Sequence, residues 1–199
     1  MERTVVACLG DSITAGSPLW DPDPAVRARI GAALDERSQW EWWAMQADGT
    51  LDLRNHGVYG ERTDQIALRF DAAVAGAAML VVQGGINDVV QKRRVEGAAQ
   101  NLAAMVERGR RAGLAVLLAD VLPWNNGDAR AAADIARLNT LIAAIADEHG
   151  VPLLRFHDTL ADPDDASRMR TEWTDDGDHP SIEGHRLLGE CVVQSASSR

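Results

Sequence analysis

Short apolar runs alternate with longer stretches of helical spacing along the whole chain, and this alternation limits the fold more than any other feature. The runs fall at Thr4–Gly10, Leu51–His56, Met79–Gln83, Ala115–Ala119 and Pro152–Phe156. Each has the length of a buried strand. Between them, Val95–Ala112 sets Leu102, Met105 and Val106 on one helical face. Ala129–His149 does the same with Ile135, Leu138, Leu141, Ile142 and Ile145, then meets Gly150, a good C-terminal stop. Ser181–Val193 reads as a closing helix. Five buried strands separated by helices predict an α/β fold with a parallel sheet covered on both faces. The pattern leaves the order of the strands open.

Composition narrows the function classes. The 199 residues suit one domain over positions 1–199, with no repeat or low-complexity tract to mark a boundary. Ser17–Pro24 and Asn125–Asp128 read as loops within it. A formal net charge of −10 repels nucleic acid and anionic membranes, so polynucleotide binding is set aside. No apolar run approaches the roughly 20 residues that span a bilayer. Val5–Leu9 is too short for the apolar core of a signal peptide. The expected location is cytoplasmic, although a secreted chain trimmed of its leader would read the same. Cys8 and Cys191 are too few for a disulfide framework or a structural zinc site, and their apolar neighbours suggest buried, reduced thiols. Lys92, the only lysine, lies in the polar run Gln91–Arg94, which reads as a solvated loop or helix start rather than a site for Schiff-base or Ser-Lys chemistry.

In an open parallel sheet, ligands bind beyond the carboxyl ends of the strands. The segments that follow the strands are therefore the informative ones. They are Gly10-Asp11-Ser12, then Asn55-His56-Gly57-Val58-Tyr59-Gly60, then Gly84-Gly85-Ile86-Asn87-Asp88, then Leu122-Pro123-Trp124-Asn125. Some twenty residues after the fifth run comes Asp176-Gly177-Asp178-His179-Pro180.

Ser12, at a strand-to-helix turn, presents a hydroxyl at the sheet edge, with its own N–H near a helix N-terminus. The plainer reading is that Asp11 or Ser12 caps the next helix. Of the five histidines, His179 is the best base for that serine. Asp176 stands three residues earlier, a spacing that can bring a carboxylate to Nδ1 and leave Nε2 for the serine proton. Asp178 is the rival acid, and a solvated surface turn is the plainer reading of the whole segment. His149 sits at a helix C-terminus and His185 inside the last helix, while His56 and His157 are weak strand-end alternatives. No pair has convincing metal-ligand spacing, so no metal is expected, and Ser-His acyl transfer needs no cofactor. Acyl transfer also needs oxyanion donors. Gly60 can offer a backbone N–H and Asn87 its side-chain amide. Their plainer readings are a glycine turn and a helix cap.

Gly10-Asp11-Ser12-Ile13-Thr14, Asn55-x-Gly57-x-x-Gly60, Gly85-Ile86-Asn87-Asp88 and Asp176-x-x-His179-Pro180 together resemble the four signature blocks of the SGNH, or GDSL, serine esterase and lipase superfamily. They match in order and spacing over nearly the whole chain. The resemblance implies a flavodoxin-like three-layer α/β/α fold with strand order 2-1-3-4-5. It also implies Ser12 as nucleophile, the Ser12 N–H, Gly60 N–H and Asn87 as oxyanion hole, and Asp176–His179 as the rest of a triad. Tyr59 departs from the family, which commonly has a small residue there.

The implied activity is cleavage of a small-molecule acyl ester through an acyl-enzyme on Ser12. Carbohydrate O-deacetylation and lysophospholipase or thioesterase activity use the same machinery. A non-catalytic flavodoxin-like binding module is the reading from another class, and such a module would have no use for the Asp176–His179 pair. Among the six tryptophans, Trp20, Trp124 and Trp173 adjoin these loops and are candidates, with Tyr59, for walling a substrate cleft. The competing reading is packing under long loops. Trp40, Trp42 and Trp43 fall in a helical stretch and read as core or interface. Neither the oligomeric state nor the acyl chain length is legible.

Overall fold

In the computed structural model, which describes residues 3–197, the chain begins with β1 (Thr4–Gly10), α1 (Ser12–Ala15), α2 (Pro24–Ile30), α3 (Trp40–Ala47) and β2 (Leu51–Gly57). It continues through α4 (Thr63–Leu68), α5 (Phe70–Ala73), β3 (Met79–Val82), α6 (Ile86–Val90), α7 (Val95–Arg111) and β4 (Ala115–Ala119). It closes with α8 (Ala129–His149), β5 (Leu153–Leu154), α9 (Phe156–Leu160) and α10 (Ile182–Ser197). The strands form a five-stranded sheet in the order β2-β1-β3-β4-β5, with every pair parallel. This is the order the resemblance implied.

Side chains of a strand point alternately to its two faces, and here both faces are apolar. Ala7 and Leu9, Leu80 and Val82, and Val116 and Leu118 enter one core with Leu102, Met105, Leu138 and Ile142 of α7 and α8. Val6, Cys8, Val81, Leu117 and Ala119 enter the other with Trp40 of α3, Phe156 of α9, and Leu188 and Val192 of α10. Burying a large aliphatic or aromatic side chain is worth about 1.5–3 kcal/mol. A sheet with two such faces is stable only when helices cover both. Trp40 sits edge-on to Phe156 with ring centroids 6.0 Å apart, so it is a core residue. The Cys8 thiol is fully buried, and burial first, then the nearby Glu41, pushes its pKa well up.

The fifth strand is shorter than its apolar run. Pro152 has no N–H to give to a ladder, although its carbonyl accepts from Leu118 N–H at 3.1 Å. At the other end, the Asp120 carboxylate, just beyond β4, accepts the His157 N–H at 2.7 Å. That bond satisfies an orphan donor at the start of α9, so the chain turns helical at Phe156. The closing helix runs four residues beyond Val193.

Asp120 is buried, and desolvation lifts its carboxyl from 3.8 to about 7 against the opposing hydrogen bond from His157. The folded state therefore keeps this proton to a higher pH than the unfolded chain does. Its contribution to stability falls as pH rises from about 4 to 7, by up to about 4 kcal/mol. Asp120→Asn keeps an acceptor and removes the charge. The melting-temperature difference between variant and wild type is expected to shift in the variant's favour from pH 4.5 to pH 8. A difference independent of pH would count against a charged, buried Asp120.

Candidate active site

Parallel pairing aligns the carboxyl ends of β1, β2 and β3, and the chain leaves each of them at one edge of the sheet. Ser12 is the first residue of α1 and is 5% exposed. Asp11 caps that helix, its Oδ1 accepting the Ile13 N–H at 3.0 Å. The helix-cap reading of this segment is thus correct for Asp11, and it leaves the Ser12 side chain unengaged by the cap. Gln83, at the end of β3, fixes the turn from beneath. Its Oε1 accepts both the Asp11 N–H at 3.2 Å and the Thr14 hydroxyl at 2.9 Å. Burial raises the Asp11 carboxyl to about 6, although these local hydrogen bonds and the His179 charge oppose it.

The loop after β2 is pressed against α1. A Cβ on Gly57 would lie 2.0 Å from the Ala15 nitrogen, so no other residue fits there. Asn55 holds the same contact, its Nδ2 donating to the Thr14 carbonyl at 2.8 Å and its Oδ1 accepting the Gly57 N–H at 2.9 Å. Gly60 turns with φ +77°, a conformation side chains disfavour, and its carbonyl accepts from Gln91 Nε2. Arg69 ties the first two loops together by donating to the carbonyls of Gly10 and His56 and to Glu61.

Asn87 lies in the first turn of α6 and gives one amide hydrogen to the Glu61 carbonyl at 3.0 Å. Neither Asn87 nor Asp88 caps its own helix. Asp88 instead reaches across to α4, accepting the Thr63 N–H at 2.9 Å and the Thr63 hydroxyl at 3.1 Å.

The loop before α10 completes the site. His179 Nε2 stands 3.1 Å from Ser12 Oγ, and His179 Nδ1 stands 2.8 Å from Asp176 Oδ2. The other Asp176 oxygen accepts the N–H groups of His179 at 2.7 Å and Asp178 at 2.8 Å. Burial would raise the Asp176 carboxyl, but its hydrogen bonds from His179 and Asp178 outweigh burial and hold it below its ordinary value. Asp178 turns the other way. Its Oδ1 accepts Trp124 Nε1 at 2.6 Å and Asn126 Nδ2 at 2.7 Å.

Ser12, Asn87 and His179 line a cleft of about 120 Å³, together with Ile13, Tyr59, Ile86, Val90, Trp124 and Asp178. Tyr59 is 67% exposed at its rim, with its ring centroid 6.2 Å from that of His179. Gly60 is the next residue, with open space where a Cβ would stand.

Of the aromatic candidates, Tyr59 and Trp124 are brought to the cleft and Trp20 and Trp173 are not. Trp20 lies under the guanidinium of Arg27, and Trp173 packs beside the second core under Arg170. His185 is fully buried, and burial first, then His179, lowers its pKa to about 3. Among the described residues no group of three or more His, Cys, Asp or Glu could hold a metal ion, and no helix is long and apolar enough to cross a membrane. Gln83 and Arg69 position the site without being singled out by the sequence, although Gln83 lies two residues before the third block, and Asn55, which opens the second block, has no role legible there.

Residues 8–187 match the model of the GDSL-like lipase/acylhydrolase family, and the chain belongs to that family. It is accordingly an esterase, and the binding-module reading is set aside. No curated protein sequence matches the chain. A lipase/acylhydrolase from Enterococcus faecalis superposes with a TM-score of 0.78 at 20% identity, covering 99% of this chain and 96% of that one. A GDSL-like lipase from Bacteroides thetaiotaomicron gives 0.76 at 23% identity, over 98% and 88%. A structure of the G-D-S-L lipolytic family from Desulfitobacterium hafniense gives 0.79 at 23%, over 97% and 99%. At these identities the likeness is one of fold.

The two aspartates are told apart by kinetics. Asp176→Asn is expected to lower kcat by roughly 10³–10⁴-fold, because an amide at Nδ1 favours the wrong tautomer of the base. Asp178→Asn is expected to cost far less. The reverse order, measured on a nitrophenyl ester, would transfer the orienting role to Asp178.

Proposed function

We propose that the protein hydrolyses carboxylic esters through a covalent acyl-enzyme on Ser12. The observation that carries this reading is the continuous line from Asp176 to His179 to Ser12, with contacts of 2.8 and 3.1 Å. In the proposed reaction the Ser12 oxygen attacks the ester carbonyl carbon while its proton passes to His179 Nε2. The carbonyl oxygen becomes an oxyanion. The N–H groups of Ser12 and Gly60 and the second amide hydrogen of Asn87 receive it. The Asp176 carboxylate holds the imidazole and stabilises the imidazolium. When the intermediate collapses, the imidazolium gives its proton to the departing alkoxide. Water then enters, loses a proton to His179, and releases the acid and the free serine.

The positive end of α1 adds little here because the helix is only one turn long. The oxyanion is stabilised chiefly by donors fixed before the reaction starts. Sugar O-acetyl esters, lysophospholipids and thioesters would pass through the same steps.

Ser12→Ala is expected to abolish both turnover of nitrophenyl acetate and labelling by a fluorophosphonate, with the fold intact by circular dichroism. A Ser12→Ala protein that still turned over the ester at the wild-type rate would remove Ser12 as nucleophile.

Asn87→Ala is expected to lower kcat by about 10²–10³-fold with little change in KM, since the amide acts on charge that develops only in the transition state. An effect confined to KM would make Asn87 a ground-state binding residue.

A further inference from the structure

We propose that Trp124 is a specificity-determining wall, held in place by Asp178, that limits the esterase to short acyl chains. The inference rests on Ser12 being the nucleophile. The cleft beside Ser12 and His179 holds about 120 Å³, well under the roughly 300 Å³ at which ligand-sized pockets begin. A second cavity of about 170 Å³ lies next to it, bordered by the apolar Val89 and Ala131 and by the charged Lys92, Asp128, Arg130 and Asp134. The two cavities have Val90 and Trp124 in common. Those two side chains are the partition between them.

The indole is fixed on two sides. Its N–H donates to Asp178 Oδ1 at 2.6 Å, and Asn126 Nδ2 supports the same oxygen at 2.7 Å. A hydrogen bond to a carboxylate is stronger than a neutral one. On its ring, the backbone of Gly127 comes so close that a Cβ there would lie 2.7 Å from Trp124 Cε3. Asp178 is thus a positioning residue. It follows the orienting acid by two residues and precedes the base by one, so one short loop sets both the chemistry and the wall.

The acyl limb is the one this wall limits. In the proposed reaction the alcohol leaves while the acyl group stays bonded to Ser12. The exposed rim at Tyr59 suits the departing limb. The side bounded by the hydrogen-bonded indole of Trp124 suits the retained one.

The test holds the alcohol constant and varies the acid. kcat/KM is measured for nitrophenyl acetate, butyrate, hexanoate and octanoate with wild type, Trp124→Ala, Trp124→Phe and Val90→Ala. Wild type is expected to favour acetate or butyrate. Trp124→Ala joins the cavities, and its hexanoate-to-acetate ratio is expected to rise by about tenfold or more, the scale on which a hydrophobic site discriminates methylenes. Trp124→Phe keeps a ring at the wall and should shift the ratio less. Val90→Ala thins the partition at a half-exposed position and should shift it in the same direction as Trp124→Ala. Each ratio is internal to one protein, so a reduced folded fraction cancels. A wild type that prefers octanoate, or ratios unmoved in both alanine variants, would overturn the proposal while acetate turnover still upheld the esterase reading. Absence of turnover with every ester and every protein would instead overturn the reading of Ser12 and the wall with it.

Discussion

The buried carboxamide of Gln83 is the contact on which the edge of the sheet that carries Ser12 depends. It receives the Asp11 N–H and the Thr14 hydroxyl, and so joins the end of β3 to the turn that carries Ser12. A buried amide oxygen left unpaired would cost about 1–3 kcal/mol, so the turn and the strand hold each other. The same economy recurs at the edge. Asn55 and Gly57 join β2 to α1, and Arg69 joins the loops after β1 and β2. None of these residues needs to touch a substrate. Together they fix the serine within hydrogen-bond reach of a histidine 167 positions away.

The site and the fold around it use carboxylates that accept backbone N–H groups. Asp11 takes Ile13, Asp88 takes Thr63, Asp120 takes His157 and Asp176 takes Asp178 and His179. Exposed ion pairs contribute little to stability, whereas a buried or half-buried carboxylate bonded to backbone fixes a loop's course as well as its charge.

Most of the architecture was legible because parallel strands buried on both faces leave continuous apolar runs. Four of the five strands fell where those runs lie, to within a residue. The fifth did not, because its end is set by Asp120, more than thirty positions away, which captures the first turn of α9. Local pattern carries no trace of such a bond. The residues at the strand ends were legible for a related reason: chemistry after each strand converges whatever the intervening length. Trp20 and Trp173 illustrate the limit. Adjacency in sequence to a site loop does not say on which side of that loop a side chain points, and theirs point to arginines and core. Asp176 was separable from Asp178 because a three-residue spacing folds back on the ring. Gln83 and Arg69 stayed hidden because they bond largely to main-chain groups, which every sequence offers everywhere, and because their side-chain partners Thr14 and Glu61 lie far off in sequence or outside the motifs.

Cys8 lies in the central part of the sheet, with neighbours on both sides and no exposed surface. Its side chain faces the helix layer of Trp40, Leu188 and Val192, so the thiol meets a solvent-borne reagent only when α3 and α10 lift from the sheet, a cooperative opening of the layered core rather than fraying of an edge. Cys191, half-buried on α10, is released by a far smaller movement. The two thiols therefore sample different depths of the native ensemble. The ratio of their alkylation rates gives, in one experiment, the free-energy gap between peripheral loosening and cooperative opening of this molecule.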